Sequence, residues 1–243
     1  MADLNNSSPL ELVTTSFEQS AWMRGFDFMP GTDCLVIWWS DIQQATDVET
    51  VSVEQVCPGQ PAPQALDVIE LPFGSGSYQM SPQGDAFLAV SQDRVHNWHL
   101  SIDELGDDAP PRLLFTAPAQ EGLSIGPLYW QPDGQQIQFI QNMLHLNGTA
   151  SLTHYIVSHD GQSVESQQEL TMPFVLVTGG WLQDGKEIVF FSGLGDYKPE
   201  TTGVYIFDLN NGIWRQILAG YYLTRWPAWS PEMPSINQEE ITP

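Results

Sequence analysis

The stretch Tyr129-Trp130-Gln131-Pro132-Asp133-Gly134 decides the fold, because it is one of five similar copies spaced about fifty residues apart. The others are Phe26-Asp27-Phe28-Met29-Pro30-Gly31, Tyr78-Gln79-Met80-Ser81-Pro82-Gln83-Gly84, Trp181-Leu182-Gln183-Asp184-Gly185 and Trp229-Ser230-Pro231. Aligned on the proline position they fall at 30, 82, 132, 183 and 231, in steps of 52, 50, 51 and 48. Each copy reads as a short aromatic strand, a tight turn and a second apolar strand. A period in this range marks a propeller or another repeat array.

Outward from each turn the pattern continues. Apolar residues alternate at the fifth and seventh positions past the anchor: Leu35 and Ile37, Phe87 and Ala89, Ile137 and Phe139, Ile188 and Phe190. A period of two over such short runs predicts strands. Third strands are expected at 48–53, 97–103, 152–158 and 204–209, three of them carrying an aromatic (Trp98, Tyr155, Tyr205). Gly106-Asp107-Asp108, Asp160-Gly161 and Asn211-Gly212 then supply hairpin turns, since Gly reaches positive φ without strain. Fourth strands follow at 65–71, 112–116, 163–170 and 214–218. Four antiparallel strands per fifty residues make one propeller blade.

The fold class expected is all-β, a β-propeller of four-stranded antiparallel blades in a single domain over 1–231, followed by a polar tail over 232–243. Four full blades begin near residues 22, 75, 126 and 176, leaving one inner strand at 224–230. The segment 9–14 reads as an outer strand without a blade of its own. A fifth, incomplete blade shared between the two termini would close the ring; otherwise the chain is a piece of a larger propeller.

At this point the residues resemble the TolB-like propeller repeat. The resemblance rests on the aromatic-x-Pro-Asp-Gly turn, the apolar strand ending in Ser, and Val204-Tyr205-Ile206-Phe207-Asp208-Leu209-Asn210-Asn211-Gly212. It covers residues 22 to 231 and is closest in the third and fourth units. The first unit departs from it at Met29-Pro30-Gly31-Thr32, and the fifth ends at Pro231-Glu232 where Asp-Gly is expected. It implies a propeller, usually extracytoplasmic in bacteria, that binds proteins or accompanies a hydrolase domain. Its motif residues are structural, so it carries over no functional residue.

Composition narrows the partners. Seven Lys and Arg stand against 30 Asp and Glu, a formal net charge of -23. Such a chain repels phosphate backbones, and no basic stripe offsets it, so nucleic acid and anionic membranes are poor partners. No run reaches membrane-spanning length, and Met1 to Ser8 lack the basic and apolar regions of a signal peptide. Cys34 and Cys57 are read as two free thiols, because a domain of this size needs no staple, with a disulfide between them as the alternative.

Few residues are left for chemistry. Trp130, Trp181 and Trp229 share one repeat position with Phe28 and Met80, which assigns them to packing between blades. Adjacent Trp38 and Trp39 must point to opposite faces of their strand. Gly122-Leu123-Ser124-Ile125-Gly126 matches a nucleophile-elbow string but lacks the strand-turn-helix context. His96 and His99, placed in one strand, face opposite ways, and all five histidines are read as surface or hydrogen-bonded groups. Glycosidases need paired carboxylates, yet the inner strands hold one acid, Asp27, with Gln79, Tyr129, Gly180 and Ala228 at matching positions. Asp133 and Asp184 belong to turns, with Ca2+ ligation a minor alternative. Asn147-Gly148-Thr149 is a glycosylation sequon only if the chain is secreted.

The expectation is therefore a non-catalytic protein-binding or scaffolding module with no cofactor. Its contact residues are taken from those off the repeat register: Trp22, Arg24, Trp39, Asp41, Tyr197 and Arg225. The rival is a carbohydrate-binding or substrate-gating propeller associated with a glycosidase or peptidase, with a glycan or small molecule as ligand.

Overall fold

The computed structural model describes residues 21–41, 48–72, 76–107, 109–145, 149–161, 164–172, 176–182, 185–192 and 203–219, and every regular element among them is a strand. The first sheet holds β1 (Ala21–Phe28), β2 (Leu35–Asp41), β3 (Val48–Val56) and β4 (Gln64–Pro72). The second holds β5 (Ser77–Met80), β6 (Ala86–Gln92), β7 (Trp98–Glu104) and β8 (Arg112–Ala117). The third holds β9 (Leu123–Trp130), β10 (Gln136–Leu144), β11 (Ala150–Ser158) and β12 (Val164–Met172). The fourth holds β13 (Leu176–Trp181), β14 (Glu187–Ser192), β15 (Gly203–Asp208) and β16 (Ile213–Ala219). In all four, neighbours in the sheet are neighbours in the chain, which is the antiparallel meander of a propeller blade. The chain divides into two compact units, the first carrying the first three sheets and the second the fourth.

The repeated turn is built by its glycine. In the third copy the Gly134 amide donates to the Gln131 carbonyl (2.8 Å), and the Gln131 amide donates to the Gln136 carbonyl (2.9 Å). The bend puts Gly134 at φ 71°, a region that costs a residue with a Cβ. The same bond recurs from Gly84 to Ser81 (3.0 Å) and from Gly185 to Leu182 (3.0 Å). The fifth copy lies outside the described residues, as do residues 9–14 and the tail.

Alternation along β6 shows how blades adhere within the first unit. Phe87 and Ala89 point to one face and join Val36, Trp38, Val51, Val53, Ile69 and Leu71 of the first blade. Ala86, Leu88 and Val90 point to the other and join Leu128, Trp130, Ile137 and Phe139 of the third. A strand sandwiched this way is apolar at consecutive positions, unlike one with a wet face. Trp38 is fully buried and stacks on Tyr78 of β5 (5.4 Å, 11°). Tyr155 stacks on Phe139 (5.0 Å, 9°), and Phe115 of the second blade packs against both rings. In the second unit, Trp214 of β16 packs against Phe190 and Phe207 of its own blade.

Three expectations are corrected. The shared aromatic position is buried at Met80 and Trp130, but Phe28 is 49% exposed, because it lies outside the cluster that joins the first blade to the second. His96 is not in a strand: it sits in the turn before β7 at φ 66°. Cys34 and Cys57 are not free thiols but a disulfide, with S–S 2.02 Å and Cα–Cα 4.2 Å. The cause is register. Leu35 pairs with Val56, so the residues just outside the two antiparallel strands face each other.

Candidate binding groove

Four of the six residues proposed as contacts come together. Trp22 pairs with Ser40, Met23 with Trp39 and Ala21 with Asp41, placing Trp22, Arg24, Trp39 and Asp41 at one end of the β1–β2 pair. Arg24, however, is committed to the blade. Its Nη2 lies 2.6 Å from Glu49 Oε1, and its Nε donates to Ser40 Oγ at 2.7 Å. Glu49 and Ser40 are both buried, so Arg24 neutralises a charge that would otherwise be stranded in the sheet. Trp39 is half-buried on the face of β2 opposite Trp38. Tyr197 and Arg225 lie outside the described residues.

Asp27 is likewise structural. Its Oδ1 accepts from the Phe28 amide (2.8 Å) and its Oδ2 from the Met80 amide (3.1 Å). Burial pushes its carboxyl above the usual range, opposed by these two hydrogen bonds. Among the described inner strands it remains the lone carboxylate, and no group of three or more His, Cys, Asp or Glu among the described residues could hold a metal ion. Asp133 closes its own turn by accepting from the Gln135 amide (2.9 Å). Ser124 of the elbow-like string lies within β9. His154 is buried in β11 with Nε2 2.9 Å from Gln138 Oε1, and burial pushes its pKa down to about 4. His99 lies 3.1 Å from Asp93 at the surface end of β7.

The built concavity lies elsewhere, between the first and second blades. A groove of about 550 Å3 runs between β4 and the end of β7 with the connection that follows it. Along β4 it is lined by six successive residues, from Asp67 to Pro72. Because strand side chains alternate between faces, such a continuous run means that the backbone edge of β4 borders the groove. The opposite wall is Asp103, Asp107, Ala109, Pro110 and Pro111. Asp67 crosses it, its Oδ2 accepting from the Gly106 amide at 2.9 Å.

The electrostatics are one-sided. Asp67, Glu70, Asp103 and Asp107 line the groove, and none of the described lining residues is Lys, Arg or His. Asp103 is 4% exposed, and its Oδ2 has no hydrogen-bond partner. A buried carboxyl without a donor resists ionisation. Burial first, then the charges of Asp67, Glu104 and Asp107, push its pKa up to about 7. Outside the groove, Glu104 Oε1 lies 3.9 Å from Arg112 Nη2 and 3.4 Å from His159 Nε2.

Sequence reasoning missed this groove. The dense acids from Asp103 to Asp108 were visible, but they read as a hairpin turn. Only the packing of successive blades sets Asp67 and Glu70 opposite them.

Four-stranded meanders packed face to face define a β-propeller. No protein-family model matches the chain, and no curated protein matches it. Among solved structures it is similar to the Pyrococcus horikoshii acylaminoacyl peptidase (TM-score 0.52, 11% identity, 81% of this chain and 32% of that one). It is also similar to the propeller domain of the Trilobed protease from Pyrococcus furiosus, described as having an open velcro topology (TM-score 0.50, 14% identity, 83% and 58%). A third is an oligogalacturonate lyase in complex with manganese (TM-score 0.51, 13% identity, 82% and 53%). The chain thus spans about a third of the peptidase and little more than half of the other two. At these identities the likeness shows the fold.

Proposed function

We propose that this chain is a non-catalytic propeller of the TolB-like kind that binds a protein partner, with the acidic groove between its first two blades as the contact. The observation that carries the reading is Asp103, a buried carboxyl in the groove wall with an oxygen that no donor satisfies. Groups left in that state are costly unless a ligand completes them. Against catalysis stands the use of Asp27 and Arg24 within and between blades. The disulfide supports residence in an oxidising compartment, in keeping with the extracytoplasmic setting that the TolB-like resemblance implies.

The test is a displayed peptide library panned against the immobilised protein, with each hit resynthesised, titrated and weighed by mass spectrometry after incubation. Saturable binding with unchanged peptide mass supports the reading. Cleavage of the peptides, or a rise in melting temperature with sugars or Ca2+ while no peptide binds, defeats it.

A second reading takes the propeller as a gating or substrate-binding domain beside a hydrolase. It is favoured by the likeness to part of the acylaminoacyl peptidase chain and to the Trilobed protease propeller. Co-purification with a peptidase or lyase partner, changing that partner's KM for large substrates, is the result it requires.

A further inference from the structure

We infer that the groove takes an extended, lysine- or arginine-bearing peptide that adds as a further strand along the outer edge of β4, its cationic side chains meeting Asp67, Glu70, Asp103 and Asp107. The inference rests on the protein-binding reading above and names the partner's chemistry.

The edge is open apart from Asp67, whose side chain reaches across to the Gly106 amide. β4 is the last strand of its sheet, and the strand order gives it one hydrogen-bonded neighbour, β3. The Val68 amide donates to Asp67 Oδ1 at 2.7 Å, so it points away from β3. By the alternation of antiparallel ladders the outward groups recur every second residue, at Val68 and again at Glu70. These are the backbone positions that border the groove. Asp67 holds the Val68 amide with its own carboxylate, an arrangement that a peptide carbonyl replaces.

Charge decides the occupant. A second copy of this chain brings its own charge of -23 to an acidic edge and is repelled. A neutral strand leaves the charges of Asp67, Glu70 and Asp107 along the groove uncompensated. An ammonium or guanidinium offsets them and, through its charge, favours the ionised form of Asp103, and strand addition fixes the register of side chains against the pockets. Binding of this kind releases a proton from Asp103, whose charge faces those of Asp67, Glu104 and Asp107, so affinity rises with pH through neutrality.

The experiment is fluorescence anisotropy on the full chain with a labelled nonapeptide alternating lysine with threonine or valine. Its controls are the same peptide N-methylated at alternate residues and a glutamate-for-lysine counterpart. The expected result is saturable binding by the lysine peptide, weakened about tenfold or more by N-methylation, by the acidic replacement, and by Glu70→Lys on the exposed strand edge. Asp103→Asn lowers affinity and removes its rise with pH. Equal affinity of the N-methylated peptide, or indifference to Glu70→Lys, reduces the binding to diffuse attraction and overturns strand addition, while library binding still upholds the broader reading. A dimer in sedimentation that the lysine peptide fails to disperse assigns the edge to a second copy and also overturns it. Failure of both the library and the lysine peptide removes the two readings together.

Discussion

Asp27 Oδ2 accepts the Met80 amide at 3.1 Å across 53 residues of sequence, tying the innermost strand of the first blade to that of the second. Asp27→Leu leaves that amide without its acceptor and costs about 1–3 kcal/mol. Asp27→Asn keeps an acceptor and costs less. Urea titration of both variants gives the comparison, and equal stabilities would show that the bond contributes nothing.

The disulfide closes a loop with a sequence separation of 23. Replacing Cys34 and Cys57 together by serine removes a constraint on the unfolded chain and costs roughly 3 kcal/mol. Differential scanning calorimetry should show the wild type falling to the variant's melting temperature once dithiothreitol is added.

Asp103 gives a signed pH dependence. Its native pKa is raised from 3.8 to about 7, so between those values the native state holds a proton that the unfolded chain has released. Stability is therefore full below the lower value and declines as pH rises through the window. Asp103→Asn removes the decline, and the variant's melting temperature relative to wild type should climb between pH ~4 and ~7 and level off above. A constant difference across that range is the contrary result.

His154 works in the opposite direction. Its native pKa is lowered from 6.5 to about 4, so the unfolded chain takes up a proton first and stability falls as pH drops through that interval. His154→Gln should flatten this acid-side loss. In the wild type, the His154 imidazole resonances seen by NMR should stay at their neutral positions down to pH ~5.

Gly161 stands in the β11–β12 turn at φ 73°, and a Cβ there would lie 3.2 Å from Leu114 Cδ2 of the second blade. Gly161→Ala combines backbone strain with crowding between blades and should lose about 1 kcal/mol or more. Gly106, also at positive φ but with nothing near its Cβ position, should lose only the strain. The paired melting temperatures separate the two contributions.

The strands were legible because alternation and turn chemistry are local. Leu152 to Val157 and the Gly161 turn declare their structure within ten residues of chain. The disulfide was not legible, since it depends on Leu35 meeting Val56 in the ladder. Arg24 looked like an exposed contact because nothing nearby in sequence reveals that Glu49 is buried beside it. The groove was hidden for the same reason: Asp67 and Asp103 become neighbours only when one blade packs on the next.

The first three blades also have a polarity. Met80 and Phe87 of the second blade press back on the first, and Trp130, Ile137 and Phe139 of the third press back on the second. Trp130 also donates its indole N–H to the Gln79 carbonyl of the second blade (3.4 Å). Each blade therefore carries the key and its predecessor the lock. A duplicated repeat inserted among them would leave the existing interfaces as they are and add one new junction, the key of the copy against the lock of the original, so growth by a whole unit asks for the redesign of a single interface.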